Sequence, residues 1–158
     1  MANETSDAAA QPVFQIEKLY VKDLSLEVPN APQVFTQPAN PQLEVQLRNE
    51  AAQFAEGLYE VVVKATVHAR SEGKTVFLAE ASQGGIFSVR NVPPADLEPL
   101  LGIGCPTILY PYLREVISDA VTRAGFPPVV LQAVSFEQAY LQQRQQQAAG
   151  EPRIEVAN

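Results

Sequence analysis

Apolar and polar residues alternate along the first half of the chain, and the period changes in the second half. In Val13–Val28, Phe14 and Ile16 share one phase, Leu19 and Val21 the other, and Leu24, Leu26 and Val28 return to the first. Alternation marks a strand with one buried face, and one extra residue shifts its phase. The segment therefore predicts one long strand broken by two bulges. Pro29, Pro32, Pro38 and Pro41 follow. Each proline removes a backbone donor and fixes φ, so Pro29–Pro41 reads as a long crossover loop. Leu43, Val45 and Leu47 then alternate with Glu44, Gln46 and Arg48, as a half-buried strand would. In Leu58–Arg70, Tyr59, Val61, Val63, Ala65 and Val67 fall on one face, with Glu60, Lys64, Thr66, His68 and Arg70 on the other. Glu72-Gly73 is a tight-turn signal. Thr75–Ser82 returns as a fourth strand, which Gly84-Gly85 is expected to end or bend. Short connections between neighbours predict antiparallel pairing.

Beyond Gly104 the spacing becomes helical. Leu109, Leu113, Val116, Ile117, Ala120, Val121 and Ala124 recur on one face. Pro106 suits a first turn, Pro111 predicts a start or a kink, and Gly125 with Pro127-Pro128 stops the helix. A shorter helix is expected to open at Ser135. Ser135 and Gln138 form a capping-box pair, and Val134 can staple against Ala139. Phe136 and Tyr140 lie one turn apart on its face. Strands first and helices afterwards give an α+β protein, a four-stranded antiparallel sheet with two helices on one face. The pattern places one domain over 13–147, between polar tails at 1–12 and 148–158 that read as disordered.

Composition and charge narrow the functions. The 158 residues are 46% hydrophobic and only 18% charged, so some apolar surface is expected to face a partner. The net charge of −7 disfavours nucleic acid and anionic membranes and favours a basic protein partner. The single cysteine excludes an intrachain disulfide and suits a reducing compartment. Met1–Gln11 lacks the apolar core of a signal peptide, and no apolar run is long enough to span a bilayer, so a cytoplasmic protein is expected.

The chemistry-bearing residues do not add up to an enzyme. His68 is the only histidine and sits on the polar face of the third strand, with no second His or Cys to complete a zinc site. Cys105 lies near the expected start of the long helix, where a thiol pKa can fall, but a buried structural thiol is the commoner outcome. The glycines match neither dinucleotide nor phosphate-loop patterns, so neither ATP, another cofactor nor a metal is expected. Asp23 and Glu27, four apart on a strand, point the same way about 13 Å apart. If the fourth strand lies near the first, Glu80 joins them in an acidic patch; otherwise they belong to an ordinary solvated face. The apolar residues Phe35, Leu43, Val45, Leu47, Phe136, Tyr140 and Leu141 belong either to a groove for other chains or to a loosely packed end of the core.

A long stretch of the chain resembles the SecB family of bacterial export chaperones. The similarity runs through Phe14-Gln15-Ile16, Leu19–Pro32 and Val34-Phe35. It continues in Glu80 with Gln83–Ser88, in Gly104-Cys105-Pro106 with Ile108-Leu109, Pro111-Tyr112 and Arg114-Glu115, and in Phe126-Pro127. It covers about residues 13–147, and neither tail carries it. The resemblance implies a homotetramer, a dimer of dimers with the long helices between the sheets. The stripe from Leu109 to Ala124 would then be buried between subunits. It also implies an ATP-independent holding chaperone that binds unfolded secretory precursors and delivers them to the SecA translocation motor. Carried over residue by residue, it implies that Asp23, Glu27, Leu78 and Glu80 bind a basic, zinc-bearing tail of SecA. Phe35, Leu43, Val45, Leu47, Phe136, Tyr140 and Leu141 would hold clients. The rival expectation is an oligomeric α+β enzyme or small-ligand domain with an inter-subunit pocket, for which Glu115 and Asp119 are the carboxylates near the long helix.

Overall fold

Both phase slips of the first strand are bulges. The computed structural model describes residues 10–38 and 40–149, so most of the two expected tails lies outside the described residues. Strand β1 (Val13–Glu27) pairs antiparallel with β4 (Lys74–Arg90), and its register shifts at Glu17 and again at Lys22. Directly opposed residues point to the same side of a sheet. Phe14, Ile16, Leu19, Val21, Leu24 and Leu26 oppose Val89, Phe87, Gly85, Gln83, Ala81 and Ala79. The two extra residues thus keep six apolar side chains on one face.

The remaining strands, β2 (Gln42–Ala55) and β3 (Leu58–Ser71), complete a four-stranded antiparallel sheet in the order β1-β4-β3-β2. Strand β2 is longer than its alternating core predicts. The β3–β4 hairpin turns on Glu72 and Gly73, both at positive φ (51° and 75°), as a mirror-image two-residue turn requires. Strand β4 does not end at Gly84-Gly85. These glycines make room instead: a Cβ on Gly84 would stand 2.5 Å from the Tyr20 ring, and one on Gly85 would stand 2.9 Å from Leu109.

The helical backbone starts well before Pro106. Helix α1 (Pro94–Pro99) leads through a wide turn (Leu100–Gly104) into α2 (Cys105–Arg123). In that turn the Cys105 N–H bonds to the Leu100 carbonyl, five residues back. The widened turn immediately precedes Pro106, which has no N–H to continue the normal ladder. Pro111 neither starts nor ends the helix. Pro111 has no N–H to give the Thr107 carbonyl, and both residues face solvent, where water can take the donor's place. Gly125, at φ 96°, ends α2, with Phe126 N–H bonded to Val121 O and Gly125 N–H to Thr122 O. Helix α3 (Phe136–Ala149) opens as expected, Gln138 N–H donating to Ser135 Oγ at 3.2 Å.

Helix α2 packs on β3 and β4. Leu109, Leu113, Ile117 and Val121 are fully buried against Val61, Val63, Ala65, Val67, Ala79 and Ala81. This corrects the expectation that the stripe is buried between subunits: it meets its own sheet, where small Ala and Gly side chains let the helix approach. Coverage stops at the two central strands. The apolar rows of both edge strands lie on the same side but stay open, Phe14, Ile16, Val21 and Leu24 being 41–49% exposed on β1, and Leu43 and Val45 45–46% exposed on β2.

Candidate functional site

On the helix side, the open row of β2 is one wall of a groove. The opposite wall is residues 129–134, which connect α2 to α3, followed by α3 itself. One section, about 440 Å³, is lined by Leu43, Val45, Leu47, Tyr110 and residues 129–134. The next, about 640 Å³, shares Leu47 and Val134 with it and continues along Arg48–Ala51, Leu97, Leu101, Phe136 and Tyr140. Val129 and Leu131 are buried while Val130 and Gln132 face out, so this connection lies extended with one side on the core. The Tyr110 hydroxyl donates to the Gln132 carbonyl, and Tyr110 meets Phe136 edge-to-face at 5.6 Å. Tyr140 seats over Gly102, where a Cβ would stand 3.0 Å from its ring. The wide turn before α2 is thus the platform on which α3 rests.

Five of the seven residues expected in a client groove come together here: Leu43, Val45, Leu47, Phe136 and Tyr140. Phe136 is nearly buried and belongs to the floor and the core. Phe35 lies outside both sections. It stacks on Phe126 at 5.2 Å, and Phe126 in turn meets Phe77 at 5.1 Å, so a loop aromatic caps the end of the core. Leu141 is half exposed and lines neither section. Val129, Leu131, Val134, Leu97 and Leu101 were not expected there. The alternation of Val129 and Leu131 was the available signal, obscured by the Pro127-Pro128 stop.

On the opposite face, the pairing of β1 with β4 unites the acids. Asp23, Ser25 and Glu27 oppose Ser82, Glu80 and Leu78, so Asp23, Glu27, Glu80 and Leu78 share one side of the sheet. The same rows run on across β3 and β2: Ser82–Lys64–Arg48, Glu80–Thr66–Gln46 and Leu78–His68–Glu44. Thr66 Oγ1 donates to Glu80 Oε1 at 3.3 Å. The ion pairs among the described residues are Lys22–Glu60 (2.6 Å) and Arg123–Asp119 (2.9 Å), so Asp23, Glu27 and Glu80 face outward without a bonded cation. Glu60, by contrast, is engaged within the sheet. Lys22 and the Tyr20 hydroxyl both donate to it and hold its carboxyl below the usual carboxylate range. Burial, reinforced by that bond, pushes Tyr20 up to about 12.

Other candidate chemistry is dispersed. Cys105 lies inside the continuous helix, fully buried, and burial pushes its thiol up to about 12. Glu115 and Asp119 are exposed and line neither section of the groove, and Asp119 pairs with Arg123. Among the described residues no three His, Cys, Asp or Glu side chains gather as a metal would need, and no helix is long and apolar enough to cross a membrane.

The arrangement has counterparts. The family model described as preprotein translocase subunit SecB matches residues 7–147. The protein-export protein SecB of Aromatoleum aromaticum is 61% identical over 137 residues, 86% of each chain. That of Methylobacillus flagellatus is 56% identical over 149 residues, 94% of this chain and 95% of the relative. Among solved structures, the SecB-like chaperone of Mycobacterium tuberculosis, in complex with an antitoxin peptide, shares the fold. Its TM-score is 0.64 at 17% identity, covering 77% of this chain and 90% of that one. The family match over most of the chain and relatives of matching length agree, and the chain belongs to the SecB family of protein-export chaperones.

Proposed function

We propose that this export chaperone holds unfolded precursor proteins without ATP in the cytoplasm and passes them to SecA. The groove carries the proposal: it is long, shallow and apolar, with Leu43, Val45 and Leu47 as one wall and the 129–134 connection and α3 as the other. A holder of many sequences cannot rely on shape-matched pockets. The hydrophobic effect is non-directional and scales with area, so an open apolar groove accepts diverse extended segments. At about 25 cal/mol per Å², a client segment burying roughly 400 Å² of apolar area gains about 10 kcal/mol gross. Ordering the client offsets much of that. Several grooves in one oligomer restore avidity. Folded proteins hide the segments the groove needs, which supplies selectivity for non-native chains.

Self-association as a dimer of dimers is part of the same proposal. The open row Phe14, Ile16, Val21 and Leu24 on β1 supports it, because such a strip on an edge strand suits a second copy of the chain. Client-binding roles are proposed for Leu43, Val45, Leu47, Phe136 and Tyr140, with Phe35 and Leu141 as outlying contacts. SecA docking is proposed at Asp23, Glu27, Leu78 and Glu80, supported by their shared face and unpaired charge. The test is light scattering from a chemically unfolded model client diluted into refolding buffer without nucleotide. Suppression near one oligomer per client is expected. Unchanged aggregation at several-fold excess would refute the holding function.

A further inference from the structure

We infer that the acidic docking face extends across β3 to Glu44 on β2, and that His68, between Leu78 and Glu44 on that face, sets the face's affinity for a basic partner through its protonation state. The inference rests on the proposed docking role of the acid face and adds residues to it. His68 opposes Leu78 on one side and Glu44 on the other, in the row that ends at Glu27 on β1. With Leu78, it is one of the two inner members of that row.

The hydrogen bonds fix its neutral form. Arg70 Nε and Nη2 lie 3.3 and 3.1 Å from His68 Nδ1. A guanidinium has donors only, so Nδ1 carries the lone pair. The proton of the neutral ring is then on Nε2, which donates to Thr75 Oγ1 at 2.8 Å. Every polar position of the imidazole is therefore in use, and the one place for a further proton is Nδ1. Histidine is the side chain whose charge changes between about pH 5 and pH 8.

Proton uptake from solvent at Nδ1 does two things. It removes the acceptor of Arg70 and sets two cations side by side, which releases the guanidinium. It also adds a positive charge between Leu78 and Glu44, one row from Glu80 and on the same face as Glu27. The groups that face His68 are Arg70 on its own strand, Glu44 on β2, and Thr75 and Leu78 on β4. The imidazolium partly neutralises this acidic row and repels a cationic ligand. A basic segment docks on the neutral form and is weakened on the protonated one. By reciprocity a docked basic segment holds His68 neutral.

The probe is a short fluorescein-labelled Lys/Arg-rich peptide, titrated by anisotropy at low salt between about pH 8 and about pH 5.5. One added charge roughly 6 to 8 Å from a ligand cation weakens wild-type binding about twofold to threefold on acidification. His68→Gln, which keeps an acceptor for Arg70 and cannot be charged, should bind equally at both ends, and His68→Thr should agree with it. Because His68 is the chain's only histidine, its ring-proton NMR signal reads the linkage directly, and added peptide should keep it in the neutral position to lower pH. Equal pH dependence in wild type and both variants, or none in wild type, overturns the role of His68. Failure of the peptide to bind wild type even at the upper pH overturns the acid-face reading itself.

Discussion

Reversing one charge at Glu80 tests the docking face most directly. Glu80 opposes Ser25 and lies diagonal to both Asp23 and Glu27, so it is the centre of the acid group. Its carboxylate is steadied by Thr66 and bound to no cation among the described residues. Two unit charges about 6 Å apart in water interact by roughly 0.7 kcal/mol. Glu80→Lys exchanges an attraction for a repulsion, a change of about 1.4 kcal/mol, or roughly tenfold in affinity, for each partner cation at that distance. The new ammonium also pairs with Asp23 and Glu27 and withdraws part of their charge. Glu80→Gln should cost about half as much free energy, roughly threefold in affinity. Screening over a Debye length of about 8 Å at physiological salt should halve both effects on the energy scale. Isothermal titration with the SecA tail, at low and physiological salt, measures these ratios, while light scattering verifies that client holding is intact. An unchanged low-salt affinity would refute the docking assignment. A loss that does not shrink with salt would assign the effect to disturbed structure instead of charge.

Three further outcomes follow from the same geometry. Leu43→Ser with Tyr140→Ser removes one residue from each wall of the groove and should raise several-fold the chaperone excess needed to suppress aggregation; wild-type suppression by an intact oligomer would exclude these residues. Val21→Asp places a charge in the open row of β1 and should shift light-scattering mass toward smaller species; an unchanged mass would remove that row from the self-interface. Cys105 should resist thiol reagents in the native state and react on denaturation. Its thiol is raised by burial from 9.0 to about 12, so its contribution to stability is complete below about pH 9 and lost as pH rises toward 12. Chemical denaturation across that range should show a fall that Cys105→Ala lessens.

The legible parts of the fold were those fixed by neighbours in the chain. Two phase slips in β1 predicted two bulges, Glu72-Gly73 its turn, and Ser135 with Gln138 the start of α3. Misread parts depended on partners distant in sequence. Gly84 and Gly85 look like strand breakers until Tyr20 on one side and Leu109 on the other show why no side chain fits. The start of the helix was hidden because Pro99, Pro106 and Pro111 each argue for a boundary, and only a widened turn before Pro106 lets the backbone continue. Of the site, Asp23 and Glu27 could be placed on one face from their spacing, but Glu80 joins them through β1–β4 pairing, which no short loop announces. Phe35 enters the expected groove through its hydrophobicity and the family resemblance. Its place in a loop carries no periodicity, and it stacks on Phe126 instead.

The bulges also explain how one strand serves two opposite surfaces. Strict alternation from Phe14 and Ile16 would carry Lys18 and Tyr20 onto the helix side, and continuation from Leu19 and Val21 would carry Asp23, Ser25 and Glu27 there. Each extra residue cancels one such inversion. Glu17 returns Leu19 and Val21 to the apolar row, and Lys22 returns Leu24 and Leu26 to it while turning Asp23 and Glu27 outward. The second bulge has a further consequence. Its extra residue, Lys22, pairs with Glu60, so this acid is neutralised within the sheet while the acids beyond it stay free. The apolar groove and the acidic face are therefore set back to back across one layer of backbone. On the proposed roles, a client held among apolar side chains on one side would leave the charged surface on the other open to a basic partner.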